Sequence, residues 1–151
     1  MNIIAARFCE NDPRFKKRRP RGLKRDGLRY EKKAGDALLE TKPQTLWRGP
    51  WFEYRIEGEE VDRICQPDML LLKNNWLYVV EAKRTALIEA YKKLEDLYCP
   101  VVELAFKGLY TTKGVQIFKF LTKATLTHKP VVSIHDIYTC KEDYFGIHFL
   151  G

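Results

Sequence analysis

Two almost uninterrupted apolar runs, separated by a short polar segment, constrain the fold of this 151-residue chain more than any other feature. Residues 63–72 read RICQPDMLLL and residues 76–83 read WLYVVEAK. Strands that are apolar at nearly every position are buried on both faces of a sheet. Lys73, Asn74 and Asn75 form a tight polar turn between the runs. The runs therefore predict neighbouring strands of a central sheet that is covered on both sides.

Two further segments have the apolar spacing of helices that could cover such a sheet. The first helix is expected to begin after Asp26, a suitable N-cap, and to end before Pro43. The second is expected to follow Thr85 and to stop at Cys99 and Pro100. The spacing therefore predicts one helix on each face of the sheet.

The remaining strands are predicted from aromatic and β-branched residues. Residues 51–56 (WFEYRI) predict a strand that is joined by the acidic turn 57–62 to the two apolar runs, which makes an antiparallel meander. Residues 101–106 and 115–121 predict two more strands, and the last two dozen residues allow no assignment. The fold class is therefore α/β, with a mixed β-sheet core flanked by helices on both faces.

The net charge of +7 is concentrated near the N-terminus. Residues 14–25 hold eight of the 27 lysines and arginines and no acidic residue, whereas residues 26–151 hold equal numbers of acidic and basic residues. We expect residues 1–25 to form an extended basic arm that binds nucleic acid, followed by a single domain over residues 26–151. A solvated tail is the alternative. The expected contacts are Arg14, Lys16, Lys17, Arg18, Arg19, Arg21, Lys24 and Arg25, with Arg84 from the folded domain.

The cysteines and histidines are spaced too widely for a metal site of close ligand pairs, and the four cysteines are expected to be free thiols. No apolar run approaches the roughly 18 residues of a membrane span. The apolar stretch at residues 3–6 is too short for a signal-peptide core. We therefore expect a cytoplasmic protein without a membrane partner.

Acidic residues on the two buried strands predict an active site. Asp68 precedes one apolar run, Glu81 ends the other, and Lys83 shares a strand face with Glu81 because side chains alternate. Buried carboxylates are costly unless they are paired or bind a cation. Two converging carboxylates suit Mg²⁺, for which Mn²⁺ can substitute. The alternative is a strand-edge Asp68 beside a structural ion pair of Glu81 and Lys83.

The segment from Pro67-Asp68 to Glu81-Ala82-Lys83, with twelve intervening residues, resembles the signature of the PD-(D/E)XK nuclease superfamily. The resemblance covers about residues 26–107. It implies a restriction-endonuclease-like fold, Asp68, Glu81 and Lys83 as catalytic residues, and Asp68 and Glu81 as metal ligands. It also implies a catalytic role for Glu31, the lone carboxylate on the apolar face of the first helix. An ordinary helix glutamate is the alternative.

Within that superfamily, KRDGLRYEKKAGDALLE is similar to the lead into the first helix of archaeal-type Holliday junction resolvases. The pattern after Lys83 departs from them, and the helix that follows has no glutamine, which many exonuclease-like members carry there. The expected function is a Mg²⁺-dependent DNA endonuclease of the kind that acts on branched DNA in recombination, as in a stand-alone phage enzyme. An exonuclease, a restriction-like nuclease and a non-catalytic nucleic-acid-binding module are the alternatives. DNA is the expected partner, and a homodimer is an open option.

Overall fold

The fold was analysed in a computed structural model, which describes residues 2–10, 23–121 and 129–151. Its centre is the predicted hairpin, made of β5 (Met69–Lys73) and β6 (Trp76–Thr85). Asn74 and Asn75 both have positive φ, of 52° and 67°. Two such residues form the tight turn whose twist matches that of paired strands. The predicted polar turn is therefore confirmed.

The hairpin belongs to a six-stranded mixed sheet of order β2-β5-β6-β7-β9-β8. Its other strands are β2 (Thr45–Arg48), β7 (Thr111–Phe120), β8 (Val131–Val132) and β9 (Tyr144–His148). β2, β5 and β6 are antiparallel neighbours, whereas β7 runs parallel to β6 and β9 runs parallel to β7. The α/β class and the mixed sheet were predicted correctly, and the unassigned C-terminal residues supply β9 and the edge strand β8.

Helices lie against both faces of this sheet, as predicted. On one face α1 (Leu23–Glu40) packs Tyr30, Ala34 and Leu38 against alternate residues of the strands. On the other face lies a continuous helical segment made of α2 (Ile88–Lys93), a π-helix (Leu94–Tyr98) and α3 (Cys99–Ala105). The two apolar clusters share no residue, so the sheet separates two cores.

The predicted three-strand meander is wrong, because its strands belong to different sheets. β3 (Trp51–Ile56) pairs with β4 (Arg63–Cys65) and with β1 (Ile3–Cys9) in a separate three-stranded sheet. The break comes at residues 66–68, where Pro67 has no N–H to donate to a ladder. The strand predicted over residues 63–72 is therefore two strands, and this break shapes the site described below.

Two helix boundaries also differ from the predictions. α1 begins at Leu23, so Asp26 lies in its first turn and is not its N-cap. The helical segment after Thr85 continues through Pro100, which lies in the first turn of α3, where the missing N–H of proline is tolerated. Residues 101–106 were therefore wrongly predicted as a strand, and the buried Val101 and Val102 pack in a helix.

The predicted N-terminal arm is only partly described. Within residues 1–25, β1 pairs with β3 from Ile3 to Cys9, and the start of α1 is helical, so these parts are not an extended arm. Residues 14–22 of the basic cluster lie outside the described residues.

Candidate active site

The candidate site lies where β6 extends beyond the end of β5. The pairing of these two strands ends with Met69 opposite Val80, whereas β6 continues to Thr85 along β7. The side chain of Asp68 takes the place of the missing strand, because the Ala82 N–H donates a hydrogen bond of 2.8 Å to Asp68 Oδ2. A carboxylate thus occupies the open edge of a buried strand.

The side chain of Glu81 is in turn hydrogen-bonded to the backbone of Asp68. The Asp68 N–H donates a hydrogen bond of 3.1 Å to Glu81 Oε1. The Asp68 carboxylate therefore accepts from the residue after Glu81, and the Glu81 carboxylate accepts from the backbone of Asp68. These two hydrogen bonds hold the carboxylates next to each other. A carboxylate has two oxygens with several acceptor positions, so each group retains capacity to bind a cation.

The loop before Asp68 is anchored on the turn between β2 and β3. The Gly49 N–H donates a 2.8 Å hydrogen bond to the Asp68 carbonyl, and Gln66 Nε2 donates a 2.9 Å bond to the Gly49 carbonyl. Gly49 has a φ of 58°, which glycine adopts without the cost that a Cβ brings. A Cβ there would also lie 2.9 Å from Gln66 Nε2. Gly49 therefore helps to position Asp68.

Burial disfavours the ionised form of both carboxylates. Glu81 is 2% exposed, and its pKa is raised to about 7, first by burial and then by the charge of Asp68. Burial also raises the pKa of Asp68, although the Ala82 N–H and the charges of Lys83 and Lys93 oppose the shift. Two such groups favour a cation between them, since a positive charge would offset both burial and mutual repulsion.

Lys83 supplies one positive charge at this site. Its Nζ lies 3.7 Å from Glu81 Oε2, and its side chain is 41% exposed. Glu81 and Lys83 are two positions apart in one strand, so both side chains project from the same face, as predicted. The ammonium group therefore contacts the buried carboxylate and remains accessible to an anion from solvent.

Glu31 approaches the site from α1. Its pKa is raised to about 7, first by burial and then by the negative charges of Asp68 and Glu81, while Lys83 and Arg48 lower it. Glu31 also lines a cavity of about 320 Å³ together with Leu28, Lys32, Arg48 and Met69. The structure therefore brings all four predicted site residues into one electrostatic neighbourhood. Their catalytic roles remain predictions.

Arg48 at the end of β2 is a neighbour of the site that the sequence did not single out. Its guanidinium forms an ion pair with Asp36, with 2.8 Å between Nη2 and Oδ1. It crosses α1 at Gly35, where an added Cβ would lie 2.7 Å from Arg48 Nη1 and 3.2 Å from Met69 Sδ. A glycine inside a helix is unfavourable by itself and was the available signal for this close approach.

Lys93 and Tyr98 form a second missed neighbour on the opposite side of the sheet. Lys93 Nζ lies 5.3 Å from the centre of the Tyr98 ring, within range of a cation–π interaction. The two residues are five positions apart at the π-helix, whose hydrogen bonds also join residues five apart. The charge of Lys93 lowers the pKa of Asp68 and Glu81, so this lysine adds positive charge to the site.

Few of the predicted DNA contacts can be placed. Those at residues 14–21 lie outside the described residues, as does the side chain of Lys24. Arg25 is exposed. Arg84 is also exposed, and its Nη1 lies 3.8 Å from Asp26 Oδ2. A surface ion pair of this length contributes little to stability, so the Arg84 guanidinium can readily contact a phosphate instead.

The donor set at the site fits a hard divalent cation. Mg²⁺ is commonly bound through one or two carboxylates, with waters and substrate phosphates completing its shell, and Asp68 and Glu81 supply two. Among the described residues, no group of three or more His, Cys, Asp or Glu side chains forms a metal site.

The four cysteines are free thiols, as predicted, and burial raises the pKa of Cys65 and Cys99 to about 12.

Comparisons with known proteins identify no family for the chain. No family model matches the sequence, and no curated protein matches it significantly. The solved structure of protein VC1899 from Vibrio cholerae is similar over 77% of this chain, with 13% sequence identity and a TM-score of 0.49. The similarity spans 29% of that protein's chain.

In the described part of our chain, no helix is long and apolar enough to cross a membrane.

Proposed function

We propose that the protein is a metal-dependent DNA endonuclease of the PD-(D/E)XK type. One observation carries the proposal: the partly buried Asp68 carboxylate accepts the Ala82 N–H, the buried Glu81 carboxylate accepts the Asp68 N–H, and both lie at the open edge of β6 with Lys83 beside them. A purely structural ion pair of Glu81 and Lys83 would not require a second carboxylate whose repulsion raises the pKa of the first.

The proposed fold is the restriction-endonuclease-like one. Support comes from the mixed sheet, from the helices on both faces and from the position of the acidic residues where the pairing of β5 with β6 ends. The likeness of α1 to the first helix of Holliday junction resolvases supports an action on branched DNA. We therefore propose that the enzyme selects its substrate by DNA structure.

In the proposed mechanism, Asp68 and Glu81 would hold Mg²⁺ through their carboxylate oxygens. The chemistry supplied by a bound Mg²⁺ would be polarisation of the phosphodiester and a lower pKa of water. The Lys83 ammonium orients the attacking water and stabilises the negative charge that develops on the phosphate oxygens. Glu31, whose pKa is about 7, can accept the proton that the attacking water loses as its oxygen bonds to phosphorus and the P–O bond to the leaving strand breaks.

DNA binding is proposed to depend on phosphate contacts. The basic cluster at residues 14–25 has no base-reading pattern, so it would position the DNA without selecting its sequence. Arg84 and Lys83 would contact the backbone near the site.

The test is cleavage of duplex, single-stranded, flap and four-way-junction DNA by the full chain in Mg²⁺. We expect cleavage by the wild type and its loss in Glu81→Gln and Lys83→Ala. The matched controls are Glu142→Gln and Lys141→Ala, which change exposed residues before β9, at the opposite end of the sheet from the site. Products from an internal position indicate an endonuclease, and mononucleotides indicate an exonuclease.

A non-catalytic binding module would give a different pattern. It would bind the same DNA molecules without cleaving any of them, in Mg²⁺ or in Mn²⁺. Equal cleavage by the wild type and by both site variants would place the activity elsewhere or in a contaminant. Either result refutes the proposal.

A further inference from the structure

Beyond the predicted site, one exposed aromatic residue lies on the same sheet face as the catalytic candidates. Lys83 pairs with Phe118 in the parallel ladder, and Thr85 pairs with Phe120. Paired residues of parallel strands project from the same face, and side chains repeat every second residue. Phe120 therefore shares the face of Glu81 and Lys83, one strand further along the sheet.

The distance between Phe120 and the site follows from sheet geometry. Neighbouring strands lie about 4.8 Å apart, and two residues along a strand span about 6.6 Å. The Cα atoms of Lys83 and Phe120 are therefore about 8 Å apart on this geometry. A base attached to a phosphate held at the site, or to the next phosphate, can reach across that distance.

The ring of Phe120 is exposed although its backbone is fixed. The Ala86 N–H donates a 2.9 Å hydrogen bond to the Phe120 carbonyl, which holds the end of β7 against β6. Phe120 is nevertheless 49% exposed, and Leu87 and Leu121 are 43% and 38% exposed. These three apolar residues at the end of the sheet lie outside both core clusters.

Positive charge accompanies the exposed ring. Lys119 Nζ lies 5.5 Å from the centre of the Phe120 ring. His148 Nε2 lies 2.9 Å from the Lys119 carbonyl, and the His148 ring stacks on Phe118 with 6.0 Å between centres. An aromatic ring beside a lysine suits a nucleotide, since the ring can stack on the base and the lysine can pair with the phosphate.

We propose that Phe120, with Lys119, forms a platform on which an unpaired DNA base stacks beside the scissile phosphate. This proposal rests on the proposed nuclease function and narrows its substrate class. The bases inside a duplex already have both faces covered by their neighbours, so only an unpaired base can present its face to the ring. The substrate is therefore DNA with a single-stranded segment next to the cut.

The test compares Phe120→Ala with Phe120→Tyr, which retains a stacking ring, and with Leu109→Ala, which truncates an apolar side chain that is 72% exposed at the other end of β7. Affinity is measured for oligothymidylate and for a blunt duplex, with Ca²⁺ in place of Mg²⁺ to limit turnover. We expect Phe120→Ala to weaken oligothymidylate binding by about 5-fold to about 100-fold. Duplex affinity, and both affinities in the two other variants, should stay within a factor of about two.

Each other outcome overturns the proposal. Unchanged oligothymidylate affinity in Phe120→Ala shows that no base stacks there, and equal loss for duplex shows a general defect. Tighter binding of the matching RNA strand overturns the assignment to DNA. Conversion of a dimer to a monomer by Phe120→Ala, without loss of strand affinity, places the ring in a subunit interface.

Failure of the nuclease proposal gives a separate result. If the wild type cleaves no DNA in Mg²⁺ but binds oligothymidylate through Phe120, the platform stands and the nuclease assignment fails. If the wild type cleaves and Phe120→Ala binds and cleaves single strands normally, the nuclease assignment stands and the platform fails.

Discussion

Replacing Glu81 by glutamine should stabilise the metal-free protein at alkaline pH. The pKa of Glu81 is raised from 4.5 to about 7 in the folded protein. Because the folded state binds the proton more tightly than the unfolded state, the charged form costs stability as the pH rises from 4.5 towards 7. Above pH 7 the cost is complete. Glutamine has the same shape and no charge, and its carbonyl can still accept the Asp68 N–H.

The size of the effect follows from the shift of the pKa. A rise of one pKa unit corresponds to about 1.4 kcal/mol, so Glu81→Gln should stabilise the protein by about 3 kcal/mol at pH 8 and by less than about 1 kcal/mol at pH 5. For a chain of this size, about 3 kcal/mol raises the melting temperature by roughly 6 to 12 °C. Added Mg²⁺ should stabilise the wild type at pH 8 and have little effect on the variant.

The assay is thermal and denaturant unfolding of the wild type, Glu81→Gln and the control Glu142→Gln at pH 5 and pH 8, each with and without Mg²⁺. If Glu81 serves only as the partner of Lys83 in a structural ion pair, its removal destabilises the protein, and more so at pH 8 than at pH 5. That opposite sign would refute the reasoning, because it would mean that ionised Glu81 is favourable in the folded state.

Three further predictions concern activity. Lys83→Ala should abolish cleavage and leave the melting temperature close to that of Lys141→Ala, because its side chain is partly exposed; a wild-type single-turnover rate would exclude a catalytic role. Glu31→Gln should slow cleavage. It should also remove the step near pH 7, the pKa of Glu31, from the pH–rate profile. An unchanged profile would show that Glu31 is an ordinary helix residue. Replacing the six basic residues at 14–21 by glutamine should flatten the slope of log affinity against log salt by roughly 3 units if half of them contact phosphates, since each contact contributes about 0.9. Substitution is preferable to deletion of residues 1–25, because β1 is part of the fold.

The sequence was most informative where apolar periodicity and local turn chemistry agree. The hairpin of β5 and β6 was predictable because both strands are buried on both faces and two asparagines suit the positive φ of the turn. The inward face of α1 was predictable from its spacing in part, since Ala34 and Leu38 are buried as expected. These features depend on residues that are close together in the sequence.

The sequence was least informative where tertiary packing decides the structure. Val101 and Val102 favour a strand by propensity, yet they are buried in α3 because a helix packs them against the second core. Pro100 was taken as a stop signal, although proline is tolerated in the first turn of a helix. Arg48 approaches Glu31, and Lys93 approaches Asp68 and Glu81, only through the packing of elements that are distant in the sequence. Spacing along the chain could not place them at the site, although Gly35 marked the close approach of Arg48 to α1.

The break at Pro67 explains how a buried hairpin can carry an acidic site. If β5 continued without interruption, its backbone would bond the Ala82 N–H, and Asp68 would be one more strand residue with its side chain on one face. Because β5 begins only at Met69, the carboxylate of Asp68 itself receives that N–H beside Glu81. The polar residues at positions 81 and 83 therefore appear in β6 where its strand partner ends. The loss of strand pairing at this edge brings two carboxylates together within the sheet and leaves Lys83 accessible to an anion.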